Sequence, residues 1–209
     1  MNTLKIAAAL TLFALTPVAA HAADLMVQPK PMTVATAAAT TNWDGFYAGA
    51  QFGYGWGILN YPSGGVSANL TGLAVGGQAG YNFHVSDNVV AGVEGDLRWN
   101  NQRGSFPSAV TSQINWDGSV RGRVGLDLGQ VMPYVDAGVA FANATINSGP
   151  GYSANHVGWT AGVGVEYMLA SNLSANVEYR YSDYGTQTYS GQQFALTDSS
   201  LRVGLNYHF

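Results

Sequence analysis

The chain has 209 residues, of which 8 are lysine or arginine and 12 are aspartate or glutamate, giving a net charge of −4. Charged residues are therefore 10% of the chain, against about 25% in an average soluble domain, while aromatic residues reach 12%. This composition argues against a disordered chain, the absence of cysteine excludes a disulfide scaffold or a thiolate metal site, and the scarcity of basic residues argues against nucleic-acid binding.

The N-terminal segment 1–22 has the three parts of a secretory signal peptide. Lys5 supplies a positive charge, residues 6–18 form a short apolar run, and Ala20-His21-Ala22 matches an A-x-A cleavage site. The apolar run is shorter than the roughly 20 residues that a transmembrane helix needs. We therefore predict export with cleavage near Ala22, followed by a flexible periplasmic lead-in over 23–41 that is rich in small residues.

From residue 42 to the C-terminus the sequence alternates apolar and polar residues, which is typical of β-strands. In the first run, for example, Phe46, Ala48, Ala50 and Phe52 share one face. The sequence predicts eight strands, at about 43–56, 70–84, 88–100, 113–127, 132–144, 156–169, 172–183 and 199–209. We assign them to one barrel domain over 42–209.

Charged residues within these strands lie on the face opposite the apolar one. Twelve residues share that position: Glu94, Asp96, Arg98, Asp117, Arg121, Arg123, Asp127, Asp136, Glu166, Glu178, Arg180 and Arg202. A soluble β-sandwich also alternates apolar and polar faces. Its strands are usually about 5–6 residues long, however, and its wet surface would be expected to carry lysine, which is absent after Lys30.

The connections between the predicted strands alternate in length. Those near 85–88, 128–131 and 170–172 are short, whereas longer polar segments are predicted as loops near 57–69, 101–112, 145–155 and 184–198. Short turns on one side and long loops on the other are typical of outer-membrane barrels. The predicted fold is therefore all-β, an eight-stranded antiparallel transmembrane up-and-down β-barrel with both termini in the periplasm.

Aromatic residues near the predicted strand ends suit the two interfaces of a bilayer. Four tryptophans are predicted to form an aromatic girdle: Trp56, Trp99, Trp116 and Trp159. On strand 6, Val163 is predicted to face lipid and Gly164 the lumen. We expect an arginine to be harmful at Val163 and a serine to be mild at Gly164.

The two ends of the barrel domain carry recognisable motifs. The opening NWDGFYAG at 42–49 with GYGWG at 53–57, and the closing SLRVGLNYHF at 200–209, resemble the small eight-stranded outer-membrane barrels. Within that superfamily the chain is most similar to the porin-like immunogenic outer-membrane proteins of alphaproteobacteria, over about 43–209.

This resemblance implies a monomeric, non-enzymatic protein that supports the envelope and presents its loops at the cell surface. It also implies contacts with outer-membrane lipid and lipopolysaccharide. The C-terminal strand, with Tyr207 and Phe209, would be the signal read by the barrel assembly machinery. The ligand of the extracellular loops is not specified by the sequence.

An eight-stranded barrel is just filled by its own side chains. The twelve charged residues are therefore expected to form a structural network that plugs the lumen, because buried charges need partners. An ion pathway between the pairs, and hence a narrow porin, is the alternative, and a loop-borne adhesin or haem-binding protein is a third. His156, predicted at the outer rim, would need a loop partner to ligate a metal, so no metal, cofactor or catalytic site is predicted.

Overall fold

Eight long strands account for nearly all of the residues in the computed structural model, which describes residues 42–61, 65–105, 111–147, 151–189 and 192–209. The predicted segments 1–22 and 23–41 lie outside these ranges. Within them, no helix is long and apolar enough to cross a membrane. The strands are β1 (Gly45–Tyr61), β2 (Val66–Ser86), β3 (Val89–Ser105), β4 (Thr111–Leu126), β5 (Val131–Asn147), β6 (Gly151–Ala170), β7 (Leu173–Tyr189) and β8 (Gln192–His208).

Each strand pairs antiparallel with the next, and β1 also pairs with β8, so that the sheet closes into a barrel. The β1–β8 seam runs without a register shift from Tyr47 opposite His208 to Asn60 opposite Ala195. Among the eight described strands, closure leaves no edge strand with unpaired backbone groups. The predicted eight-stranded up-and-down barrel is confirmed.

The barrel has two different ends. The terminal end carries Trp43, Phe209 and three short turns, at 87–88, 127–130 and 171–172, close to the predicted ones. Gly129 in the second turn has a φ of +83°, a conformation that residues with a side chain rarely adopt. The opposite end, at which the strands are joined in pairs β1–β2, β3–β4, β5–β6 and β7–β8, is called the hairpin end.

The prediction of long loops at the hairpin end is wrong, because the strands continue through these segments. Residues Gly57–Tyr61 pair with Val66–Leu70 in an unbroken register. Here the polarity of the two faces is reversed: Leu59 and Leu70 are buried inside the barrel, while Asn60 and Asn69 are exposed outside. Polar outward residues made this part of the sequence look like a loop.

A β-bulge in β4 places Ile114 and Trp116 on opposite faces of the strand. A strict period of two places Ile114 and Trp116 on the same face of β4, but the register with β5 shifts between them. Ile114 is consequently buried in the interior, while Trp116 stays on the outer wall opposite Trp99 of β3.

The middle of the outer wall is an apolar belt. Its members are large hydrophobic side chains on successive strands, among them Val75, Val93, Val120, Val139, Val163, Val177 and Val203, and each is about half exposed. A soluble protein seldom leaves so large an apolar surface uncovered. The belt is suited to the hydrocarbon core of a bilayer.

Candidate functional site

The middle of the barrel interior is filled by charged side chains from six strands, β3 to β8. Of the twelve predicted residues, eleven lie here with their side chains buried: Glu94, Asp96, Arg98, Asp117, Arg121, Arg123, Asp136, Glu166, Glu178, Arg180 and Arg202. We call this set the interior charge network. Its position follows from the strand period of two, which points alternate side chains into the lumen.

Arg121 on β4 contacts three carboxylates of the interior charge network. Its guanidinium contacts the carboxylates of Glu94 and Asp96 on β3, and its Nε lies 3.0 Å from Oδ1 of Asp136 on β5. One guanidinium thus balances carboxylates from both neighbouring strands.

Asp96 on β3 accepts hydrogen bonds from three arginines of the interior charge network. Besides Arg121, it is approached by Nη1 of Arg180 at 2.9 Å and by Nη1 of Arg202 at 3.2 Å. These arginines lie on β7 and β8, on the other side of the lumen from β3. The contacts therefore cross the barrel, and they are charge-assisted hydrogen bonds of the stronger kind.

Two tyrosines extend the network toward the terminal end. Arg123 donates to Tyr47 Oη at 2.9 Å and to Glu166 at 2.7 Å, and its guanidinium carbon lies 4.1 Å from the centre of the Tyr134 ring. Tyr47 donates to Glu94 at 2.6 Å, and Tyr134 donates to Glu178 at 3.1 Å. The prediction omitted both tyrosines, although their position on the polar face of their strands was visible in the sequence.

Toward the hairpin end the network continues through Arg98. Its Nη2 and Nε lie 2.7 and 3.2 Å from Oδ2 of Asp117. Arg202 also approaches Asp117, at 3.7 Å. Asp198 is buried near this layer, at 4% exposure. It was missed because residues 184–198 were predicted to be a loop.

Asp127 differs from the prediction because β4 ends at Leu126 and leaves it on the rim of the terminal end. Its Oδ2 lies 3.1 Å from Nε2 of His84, whose Nδ1 lies 2.7 Å from Oδ1 of Asp44. Carboxylates only accept hydrogen bonds, so the imidazole donates to both only when it is protonated. Through His84, Asp127 in the turn is linked to Asp44 at the start of the barrel domain. It does not belong to the interior charge network.

Apolar side chains are buried inside the barrel on both sides of the interior charge network. At the terminal end, Trp43 packs with Val90, Met132 and Met168, and its indole Nε1 donates to the Gly129 carbonyl oxygen at 3.0 Å. At the hairpin end a second cluster consists of Leu59, Ala68, Leu70, Ile114, Ala140, Ala142, Ala144, Tyr184 and Leu196. We call these the terminal seal and the hairpin seal.

The histidines offer little chemistry. His156 is fully buried inside the barrel and not at the rim, because β6 begins at Gly151, earlier than predicted. His208 packs edge-on against Trp43 and lies 2.9 Å from the Ser174 hydroxyl. Within the described part of the chain, no three His, Asp or Glu side chains are placed to hold a metal ion.

The predicted girdle tryptophans lie on the outer wall. Trp56, Trp99 and Trp159 are 41–63% exposed, and Trp116 is partly covered. On β6, Trp159 lies between Val163 of the apolar belt and Asn155 near the hairpin end. The tryptophans therefore lie where the outer wall changes from apolar to polar. Tyr207 and Phe209 also face outward, at the terminal end, with ring centres 5.2 Å apart.

The expected tolerance of Gly164 is contradicted. A Cβ atom at this position would come within 2.5 Å of the Tyr134 ring carbon Cζ and 2.8 Å of the Val177 carbonyl oxygen. The interior is packed too tightly here for any side chain, so Gly164→Ser is expected to be damaging.

Comparisons with known proteins agree with this architecture. The family profile described as outer membrane protein beta-barrel domain matches residues 31–209. The chain is 37% identical to the 25 kDa outer-membrane immunogenic protein of Brucella canis, with all of both chains covered. It is 32% identical to a 22 kDa outer membrane protein of Rhizobium leguminosarum, covering 80% of this chain and 79% of that one. The crystal structure of Neisserial surface protein A superposes with a TM-score of 0.54 at 18% identity, covering 78% of this chain and 97% of the other.

Proposed function

Because the chain belongs to the outer membrane protein β-barrel family and is located in the bacterial outer membrane, we propose that it is a closed, non-conducting barrel with a structural role in the envelope. In this proposal the terminal end faces the periplasm. The hairpin end, with its polar outer wall, stands above the membrane and presents the four hairpins at the cell surface.

Three successive sets of buried side chains inside the barrel support this proposal. The terminal seal, the interior charge network and the hairpin seal follow one another along the barrel axis. An ion that passed through would have to displace Trp43, separate Arg121 from its carboxylates and cross the apolar contact of Leu59 with its neighbours. Each step removes packed or paired groups and adds to the barrier.

Conductance measurements test the closed state. We expect the purified protein in planar lipid bilayers to give no steady single-channel steps, whereas a general porin added to the same bilayer does. Steady, reproducible steps of one size from the protein alone would contradict the proposal and support the narrow-porin alternative.

We further propose that Tyr207 and Phe209 act as the signal for the barrel assembly machinery. Phe209 is 80% exposed, so that its ring contributes little to packing in the finished barrel. Phe209→Ala is therefore expected to lower the amount of barrel assembled in cells several-fold, while the stability of the protein refolded in vitro changes little. Gel mobility without boiling measures the folded fraction in both settings. An equal loss in vitro would show that Phe209 acts through stability instead.

A further inference from the structure

One carboxyl group is buried inside the hairpin end without a cation. Asp198 on β8 lies opposite Gly57 of β1 and is 4% exposed. Its neighbours on the outer wall, Thr197 and Ser199, are both polar, and Trp56 of the aromatic girdle lies opposite Ser199. Asp198 is therefore located beyond the apolar belt, on the hairpin side of the tryptophans.

The two arginines whose charges reach Asp198 are engaged with other carboxylates. Arg98 directs Nη2 and Nε to Oδ2 of Asp117, at 2.7 and 3.2 Å. Arg202 directs Nη1 to Asp96 at 3.2 Å, and its Nη2 lies 3.7 Å from Asp117. Among the described residues, neither arginine forms an ion pair with Asp198. An ionised carboxylate buried in this way is costly, because no partner replaces the water it has lost.

An amide side chain is the hydrogen-bond neighbour of Asp198. Gln102 on β3 is 1% exposed and forms a hydrogen bond with the Asp198 carboxyl group. The two side chains meet over Gly55 of β1, where an added Cβ atom would lie 2.8 Å from Gln102 Cδ and 3.4 Å from Asp198 Oδ1. Asp198 Oδ1 and Gln102 Oε1 are both buried and receive no hydrogen bond from a described residue. A proton on the carboxyl group would supply a donor where both acceptors lack one.

The other groups around Asp198 do not balance a negative charge. Asp117 on β4 adds a second negative charge, and Tyr184 on β7 is a neutral phenol. His156 on β6 hydrogen-bonds to the Tyr184 backbone, and the inward positions of β1 opposite Asp198 are glycines. Burial, together with the charge of Asp117, raises the pKa of Asp198 to about 7, although the two arginines oppose this rise.

We propose that Asp198 is a proton-binding site, which takes up a proton when the medium becomes mildly acidic and thereby stabilises the hairpin end. The neutral carboxyl group can donate a hydrogen bond to Gln102, and it no longer repels Asp117. Because Asp198 pairs with β1 on one side and β7 on the other, its protonation strengthens the strands on both sides of β8. The site adds a response to acid to the closed barrel, and it is independent of whether the lumen conducts ions.

The direction of the pH dependence follows from the two protonation states. An aspartate in an unfolded chain titrates near pH 3.9. Since Asp198 in the folded barrel keeps its proton up to about pH 7, the folded state binds more protons than the unfolded state between these two values. The stabilisation is therefore complete below about pH 4 and is lost as the pH rises through about 7.

Urea unfolding of the full chain in lipid vesicles, at about pH 8 and about pH 5.5, tests the site. We expect the unfolding equilibrium constant of the parent chain to be at least about tenfold lower at the acidic pH. Asp198→Asn carries a neutral side chain of the same shape, so it should be more stable than the parent at about pH 8. Lower stability of the variant at that pH, or failure to fold, would overturn the proposal. The carboxylate would then be paired, for example by Arg98 Nη1, which no described residue contacts.

Two controls isolate the contribution of Asp198. His84 also favours the protonated state, because its imidazole donates to both Asp44 and Asp127 only when it is charged. In a His84→Gln background, the gain from Asp198→Asn at about pH 8 should persist. Asp183→Asn removes a carboxylate on the outward face of β7 and should leave the pH dependence of the parent unchanged. Equal effects of the two asparagine variants would contradict a specific site at Asp198.

Infrared spectroscopy detects the bound proton directly. The protein is held in an alkyl maltoside detergent, which contains no carbonyl group. At about pH 6, the difference spectrum between the parent and Asp198→Asn should contain the C=O band of one protonated carboxyl group, and this band should fade toward pH 8. A carboxylate band in the difference spectrum at about pH 6 would show that Asp198 is ionised there and would overturn the proposal.

Discussion

Arg121→Met is expected to lower the free energy of unfolding by about 3–5 kcal/mol, because it removes a cation from between buried carboxylates. Glu94, Asp96 and Asp136 would each lose a direct partner. Arg180 still contacts Asp96, but it already serves Glu178 at 2.5 Å. Methionine preserves much of the side-chain volume, so that the loss reports on charge and not on an emptied cavity.

The measurement is a urea titration of the protein in lipid vesicles, with the folded fraction read from gel mobility without boiling. Arg103→Gln is the control, because it removes an arginine that is exposed on the outer wall. It should leave the unfolding midpoint close to that of the parent chain. If the two variants unfolded at the same urea concentration, the interior charge network would not be what stabilises the barrel.

Val163→Arg is expected to cost about 2–4 kcal/mol of folding free energy in a bilayer, the cost of an arginine near the midplane of a barrel's lipid face. Val163 lies in the apolar belt of β6 and is 54% exposed on the outer wall. The substitution adds no clash inside the barrel, so the whole effect arises from transferring a charge into hydrocarbon.

Ser153→Arg on the same strand is the matched control for Val163→Arg. Ser153 also points outward but lies at the hairpin end, where the outer wall is polar. The folded fraction after dilution from urea into vesicles should fall for Val163→Arg and stay near the parent value for Ser153→Arg. Similar folding of both variants would mean that the apolar belt does not lie in the membrane.

The alternation of the sequence was sufficient to predict the barrel, its strand number and its short turns, because a strand in a membrane must keep one face apolar throughout its crossing. Val163 and Glu166 could be placed on opposite faces from parity alone. This alternation rule applies only within the hydrocarbon core of the membrane. Beyond it Leu59 faces inward and Asn60 outward, and this reversed polarity predicts a loop where the structure has strands.

Other details depend on interactions between distant strands. The shift at Ile114 arises from its register with β5, which no local pattern in β4 shows. Trp43 is predicted to begin the first strand, but its side chain lies inside the terminal end. There its indole contacts both the Gly129 carbonyl oxygen and the His208 ring. The partners within the interior charge network likewise cannot be predicted from one strand. Arg180, for example, meets Asp96 across the lumen only because the barrel is closed.

Pairing β1 with β8 costs more conformational entropy than forming any other strand pair of the barrel. All other strand pairs join neighbours in sequence and close short loops, whereas Tyr47 and His208 come from opposite ends of the domain. The entropic cost of closing a loop rises with its length, and long-range pairs form late. Until the seam is made, β1 and β8 are open edges able to pair with another chain. The strand that ends in Phe209 is therefore also one of the two edges that must be kept from pairing wrongly until the circle is closed.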